Sequence, residues 1–79
     1  MFIEILTPDK KIFEGEAELV QVPGSNGSFE ILNNHAPIIS TLGEGKIKVV
    51  SEGKKEDSFQ IKSGVIEVLK NKIIVLIET

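Results

Sequence analysis

The sequence predicts an all-β protein: a single domain, residues 1–79, folded as a two-sheet β-sandwich of short strands joined by tight turns. Three observations carry this. Apolar and polar residues alternate with period two, turn-forming residues break the chain about every 8 to 12 positions, and no stretch combines a helical period with a capping signal.

In chain order, the first break is Pro8-Asp9. From Lys10 to Leu19, Ile12, Phe13, Glu16 and Ala17 fall near one helical face, but Gly15 weakens a helix and nothing caps its start, so strand is the preferred reading. Glu14, Glu16 and Glu18 alternate there, which puts their carboxylates on one strand face, the pattern of a solvated edge that resists pairing with other chains. Pro23-Gly24 and Asn26-Gly27 mark a hairpin tip, and Gly43-Glu44-Gly45 a further turn. Beyond it Ile47 and Val49 alternate with Lys46 and Lys48. After Glu52-Gly53, Phe59 and Ile61 alternate with Ser58, Gln60 and Lys62; Ile66 and Val68 then flank Glu67, and Lys70-Asn71 supplies the last turn. Ile73 to Ile77 is an unbroken run of branched apolar residues, which predicts a strand central in its sheet and covered on both faces.

A chain of 79 residues buries only about 60 to 65% of its unfolded surface, so its core is economical or shared with a partner. Hydrophobic residues at 41% and charged residues at 27% describe a chain that folds. With no cysteine, disulfides, thiolate nucleophiles and sulfur-ligated metals are excluded, and a reducing compartment fits. The net charge of −3, with lysines scattered and no arginine, argues against nucleic acid as a partner. No apolar run has the roughly 18 residues of a membrane span and the amino terminus lacks a signal layout, so a soluble chain is expected. Asn26-Gly27-Ser28 fits the glycosylation pattern, but a turn is the preferred explanation.

The single histidine, His35, raises the question of catalysis or metal binding. No serine sits in a nucleophile elbow, no orienting acid is evident, and one imidazole cannot make a zinc site. The expected role is an imidazole bonded to backbone at a bend, with Pro37 directing the next strand. No metal and no cofactor are expected. The Gly24-Ser25-Asn26-Gly27 spacing is too short for a phosphate-cradling loop and reads as a hairpin tip. Lys54 and Lys55, after Gly53, read as solvated hairpin chemistry; a lipoyl or biotinyl carrier modified on one of them is the alternative function. A small hydrolase using His35 ranks third.

The run "VPGSNGSFEILNNHAPIIS" resembles the signature of the epsilon subunit of F-type ATP synthases, in its amino-terminal β-sandwich domain: a Val-Pro-Gly-x-x-Gly-x-Phe segment, apolar residues, then Pro-x-His-Ala-Pro and another apolar strand. "FIEILTPDKKIFEGE" is similar to the family's opening strand, Thr-Pro turn and Phe-x-Gly step, and "SGVIEVLKNKIIVLIET" to its closing hairpin. Glu30 stands where the family usually has glycine, and Asn33 where it usually has proline, which makes the approach to His35 less rigid than in most relatives. Most family members continue into two carboxy-terminal helices, so the resemblance is to a short form that lacks them.

The resemblance implies a non-catalytic rotor subunit that docks gamma to the membrane c-ring and couples proton or sodium transport to ATP synthesis. It further implies a location peripheral to the cytoplasmic face of the inner membrane, or its organellar equivalent. By the same resemblance Thr7, His35 and Ser40 lie toward gamma, while the loop Gly24, Ser25, Asn26, Gly27, Ser28 and Phe29 touches the c-ring.

Overall fold

A computed structural model describes all residues, 1–79. Nine strands follow in order: β1 (Phe2–Leu6), β2 (Lys11–Glu16), β3 (Leu19–Gly24), β4 (Gly27–Leu32), β5 (Ile38–Leu42), β6 (Gly45–Val50), β7 (Glu56–Ile61), β8 (Ser63–Leu69) and β9 (Lys72–Glu78). The predicted strand over residues 10–19 is β2, and Lys54 falls in a short 3-10 turn between β6 and β7.

The strands form two layers. One has the order β2-β1-β9-β8-β5, with β1 and β9 parallel and the other neighbours antiparallel; in the second, β3 pairs with both β4 and β6, and β6 with β7. The layers meet at one corner, where Gly24 of β3 pairs with Leu42 of β5. At the opposite opening Phe13 of edge strand β2 and Phe59 of edge strand β7 meet with ring centroids 5.4 Å apart, tilted by 60°.

The alternation seen in the sequence sets what lies between the layers. Ile3 and Ile5, Val20 and Val22, Ile47 and Val49, Ile66 and Val68, and Ile73 and Val75 all turn inward and are buried. All 16 buried residues are hydrophobic and none is polar or charged. The second layer's outer face carries Gln21, Glu30, Lys46, Lys48, Ser58 and Gln60 and, in one row across β4, β3 and β6, the apolar residues Leu32, exposed, and Leu19 and Val50, half-buried.

The final run departs from expectation. β9 is central, flanked by β1 and β8, but only its inward residues Ile73, Val75 and Ile77 are buried, while Leu76 is 51% exposed and Ile74 half-buried. A continuous apolar strand signals two covered faces; here the chain's own second layer covers one of them.

Gly64 on β8, paired with Ile77 of β9, has no room for a side chain. A Cβ built there would stand 2.5 Å from the Leu76 carbonyl oxygen, which is backbone and cannot swing aside. Gly64→Ala is therefore expected to destabilise the fold by about 1 to 3 kcal/mol in urea unfolding, with an unchanged m-value.

Candidate functional site

Thr7 lies in the turn between β1 and β2. Its backbone N–H donates to the Lys10 carbonyl at 2.9 Å, and its Oγ1 accepts from the N–H groups of Asp9 and Lys10 at 3.2 and 3.1 Å. This hydroxyl therefore holds its own turn.

His35 lies in the connection between β4 and β5. Its N–H donates to the Leu32 carbonyl at 3.2 Å, closing a turn in which Asn34 takes a φ of 64°, a left-handed value that asparagine tolerates. The imidazole is half-buried, and its Nδ1 lies 2.7 Å from the Ala36 carbonyl oxygen, the backbone bond expected at a bend. The expected loosening at Asn33 is offset by side-chain bonds: Asn33 Oδ1 accepts from the Met1 nitrogen at 2.7 Å, and Asn71 Oδ1 accepts from the Asn34 N–H at 2.8 Å.

Ser40 is half-buried within β5, opposite Ile66. Its Oγ makes a 3.3 Å bond to the neighbouring Thr41 carbonyl. Because β5 runs in the same direction as β1, Thr7 after β1 and His35 before β5 stand at opposite ends of the sheet. The structure does not gather Thr7, His35 and Ser40 into one cluster.

The loop expected over residues 24–29 is a tight hairpin. Gly24 and Gly27 are its closing pair, and Ser25-Asn26 alone forms the tip. Ser25 anchors it to β5, donating its N–H to the Thr41 carbonyl at 3.1 Å and sharing a 2.8 Å hydroxyl bond with Thr41 Oγ1. Phe29 is no tip residue: its ring packs against the core margin, so close to Gly24 that a Cβ there would meet it at 2.8 Å. The tip and the His35 corner thus sit at opposite ends of β5.

What joins these places is a surface the sequence reading missed. Ile39, 74% exposed, Val65, Ile74 and Leu76 share the outer face of the first layer. Three overlapping shallow depressions make one strip: the first runs from Pro8 to Val65 and Leu76, the second holds Ile39, Glu67 and Ile74, and the third ends at Pro37 and Leu69. The strip crosses the sheet from the Thr7 turn to the His35 corner. The signal was present in Ile38-Ile39 and in Ile73 to Ile77, where apolar residues break the alternation.

Beyond the strip the same face is charged. Glu4 accepts from Lys11 at 3.3 Å and lies 3.6 Å from Lys72, and Lys11 also bonds Glu14 at 2.7 Å. The hydrogen bond to Glu14, followed by that to Glu4, raises the Lys11 pKa above its ordinary value. Lys11 therefore keeps its charge in these exposed pairs at neutral pH and gives it up on the alkaline side only as pH climbs through that raised value.

The ATP synthase Delta/Epsilon chain β-sandwich domain family matches residues 1–79. The chain belongs to this family. Among its relatives, the ATP synthase epsilon chain of Chlorobium limicola is 45% identical over 76 residues, covering 96% of this chain and 86% of that one. ATP synthase epsilon chain 1 of Methylococcus capsulatus is 39% identical over 79 residues, all of this chain and 56% of that one. The same fold occurs in a chain of the Euglena gracilis mitochondrial ATP synthase OSCP/F1/c-ring structure, with a TM-score of 0.91, 20% identity and coverage of 98% of this chain and 49% of that one. A chain of the Tetrahymena thermophila mitochondrial ATP synthase central stalk/c-ring structure gives 0.81 at 19% identity, over 99% and 63% of the two chains. Nothing in these likenesses supports the carrier alternative, and Lys54 and Lys55 remain exposed residues of a hairpin turn.

Since the His35 ring is half-buried and makes a single local bond, His35→Ala is expected to lower stability by less than about 1 kcal/mol, read by urea unfolding.

Proposed function

We propose that this chain is a non-catalytic docking subunit of the ATP synthase rotor, seated on the gamma subunit through the outer face of its first layer. The observation that carries this reading is the asymmetry of the sandwich. The second layer's outer face is polar apart from the short row Leu32, Leu19 and Val50, whereas the first layer's holds a longer, mainly apolar strip, with Glu67 at its middle, between the Thr7 turn and the His35 corner. Exposed apolar strips of this kind are partner surfaces, because burying them removes unfavourable hydration. Thr7 and His35 then flank the two ends of the interface, while Ser40, opposite inward-facing Ile66 on β5, lies on the other side of the layer.

At the far end of β5, the Ser25-Asn26 tip is offered to the polar loops of the c-ring. A rigid two-residue tip fastened to Thr41 suits the transmission of force between a stalk and a ring, since little motion is lost in the loop itself. The chain would then turn with gamma and the ring, coupling proton or sodium movement to ATP synthesis. It would be peripheral to the membrane, on the cytoplasmic face of the inner membrane or its organellar equivalent.

Capture of the tagged chain from detergent-solubilised membranes of its own source is expected to recover gamma and the c-ring. Ile39→Glu with Leu76→Lys should leave the melting temperature within a few degrees, as both residues are at least half exposed, yet weaken gamma binding more than about tenfold. Undiminished gamma binding by that double variant would refute the strip as the docking face. Replacing Ser25, Asn26 and Ser28 by lysine is expected to keep the isolated fold while reducing ATP-driven ion pumping by the assembled enzyme; unchanged pumping would remove the tip from the c-ring contact.

A further inference from the structure

The corner that bears His35 is held only in part by its own residues, through the His35 N–H on the Leu32 carbonyl and the Asn33 Oδ1 on the Met1 nitrogen. Its turn contains Asn34 at a φ of 64°, and the residue before it is Asn33, which cannot stiffen the backbone as a proline would. A further bond, to the Asn34 backbone itself, comes from the β8–β9 hairpin. There Lys70 and Asn71 form a two-residue turn between the paired residues Leu69 and Lys72, with φ values of 51° and 62°, the left-handed pair of a type I′ turn. Asn71 is half-buried and points its amide at the corner: Oδ1 accepts from the Asn34 N–H at 2.8 Å, while its backbone carbonyl accepts from the Phe2 N–H at 3.1 Å.

We infer that Asn71 is a positioning residue for the gamma interface, which holds the Asn34-His35 corner in its bound geometry through the Oδ1 bond to the Asn34 N–H. The inference rests on the reading of the His35 corner as part of that interface. The turn itself does not need asparagine, because glycine serves the second position of a type I′ turn at least as well. A free Asn34 N–H would leave the corner to sample other directions, and binding would then include the cost of ordering it.

Two substitutions separate the side-chain bond from the turn. Asn71→Gly keeps the turn and removes the acceptor; Asn71→Asp keeps an acceptor at the same reach. For the full chain, Asn71→Gly is expected to leave the melting temperature near that of the parent, speed hydrogen exchange at the Asn34 amide about tenfold, and weaken calorimetric binding to purified gamma about fivefold. Asn71→Asp should behave as the parent in exchange and in binding. Parental gamma affinity in Asn71→Gly overturns the inference, and His35→Ala, measured alongside, shows which part failed. If His35→Ala binds gamma weakly while Asn71→Gly binds normally, the corner is used and Asn71 does not position it. If neither substitution weakens binding, the corner is not part of the interface and the inference falls with that reading. Equal weakening by Asn71→Gly and Asn71→Asp also overturns it, since the loss would then not follow the acceptor.

Discussion

A single layer of apolar side chains held between two sheets is the constraint on which the rest of the molecule depends. None of the buried residues is polar, so every backbone polar group in that layer must be paired within the strands, and every side chain that needs water must sit on an outer face or in a turn. A chain of this size can build one such layer and no more. Each sheet therefore has one covered face and one that the chain cannot cover with its own residues.

The two uncovered faces solve that problem differently. The β4-β3-β6-β7 layer carries lysine, glutamine and serine outward over most of its face, as a water-facing sheet does, with a short apolar row of Leu32, Leu19 and Val50 at one end. The first layer divides its outer face between an ion-paired end, where Lys11 and Lys72 converge on Glu4, and an apolar end around Ile39, Val65 and Leu76. An apolar surface of this extent has an outlet in association, and its limits match the two connections that bear Thr7 and His35.

Rigidity at the turns comes from local chemistry of several kinds. Thr7 closes its turn with its own hydroxyl, Ser25 ties the hairpin tip to Thr41, and the left-handed residues Asn34 and Asn71 are joined by one hydrogen bond, donated by the Asn34 N–H to Asn71 Oδ1. These bonds are exposed and individually small, each worth about 0.5 to 1.5 kcal/mol. They act on direction more than on stability, because they remove alternative courses of segments whose ends the core already fixes.

The sequence by itself determined the class of fold, most strand positions and the turns, since a side-chain period of two and residues that accept positive φ are local properties. It also pointed to a backbone bond for the His35 imidazole, which the Ala36 carbonyl supplies. Only the tertiary structure decided that the second face of Ile73 to Ile77 stays open, that Phe29 belongs to the core margin and not to the tip, and that Thr7 and His35 stand at opposite ends of one sheet. The physical reason is the same in each case. Periodicity says which residues share a face, but which face is covered, and which strand ends become neighbours, depends on pairings between segments far apart in the chain, such as β1 with β9 and Asn34 with Asn71.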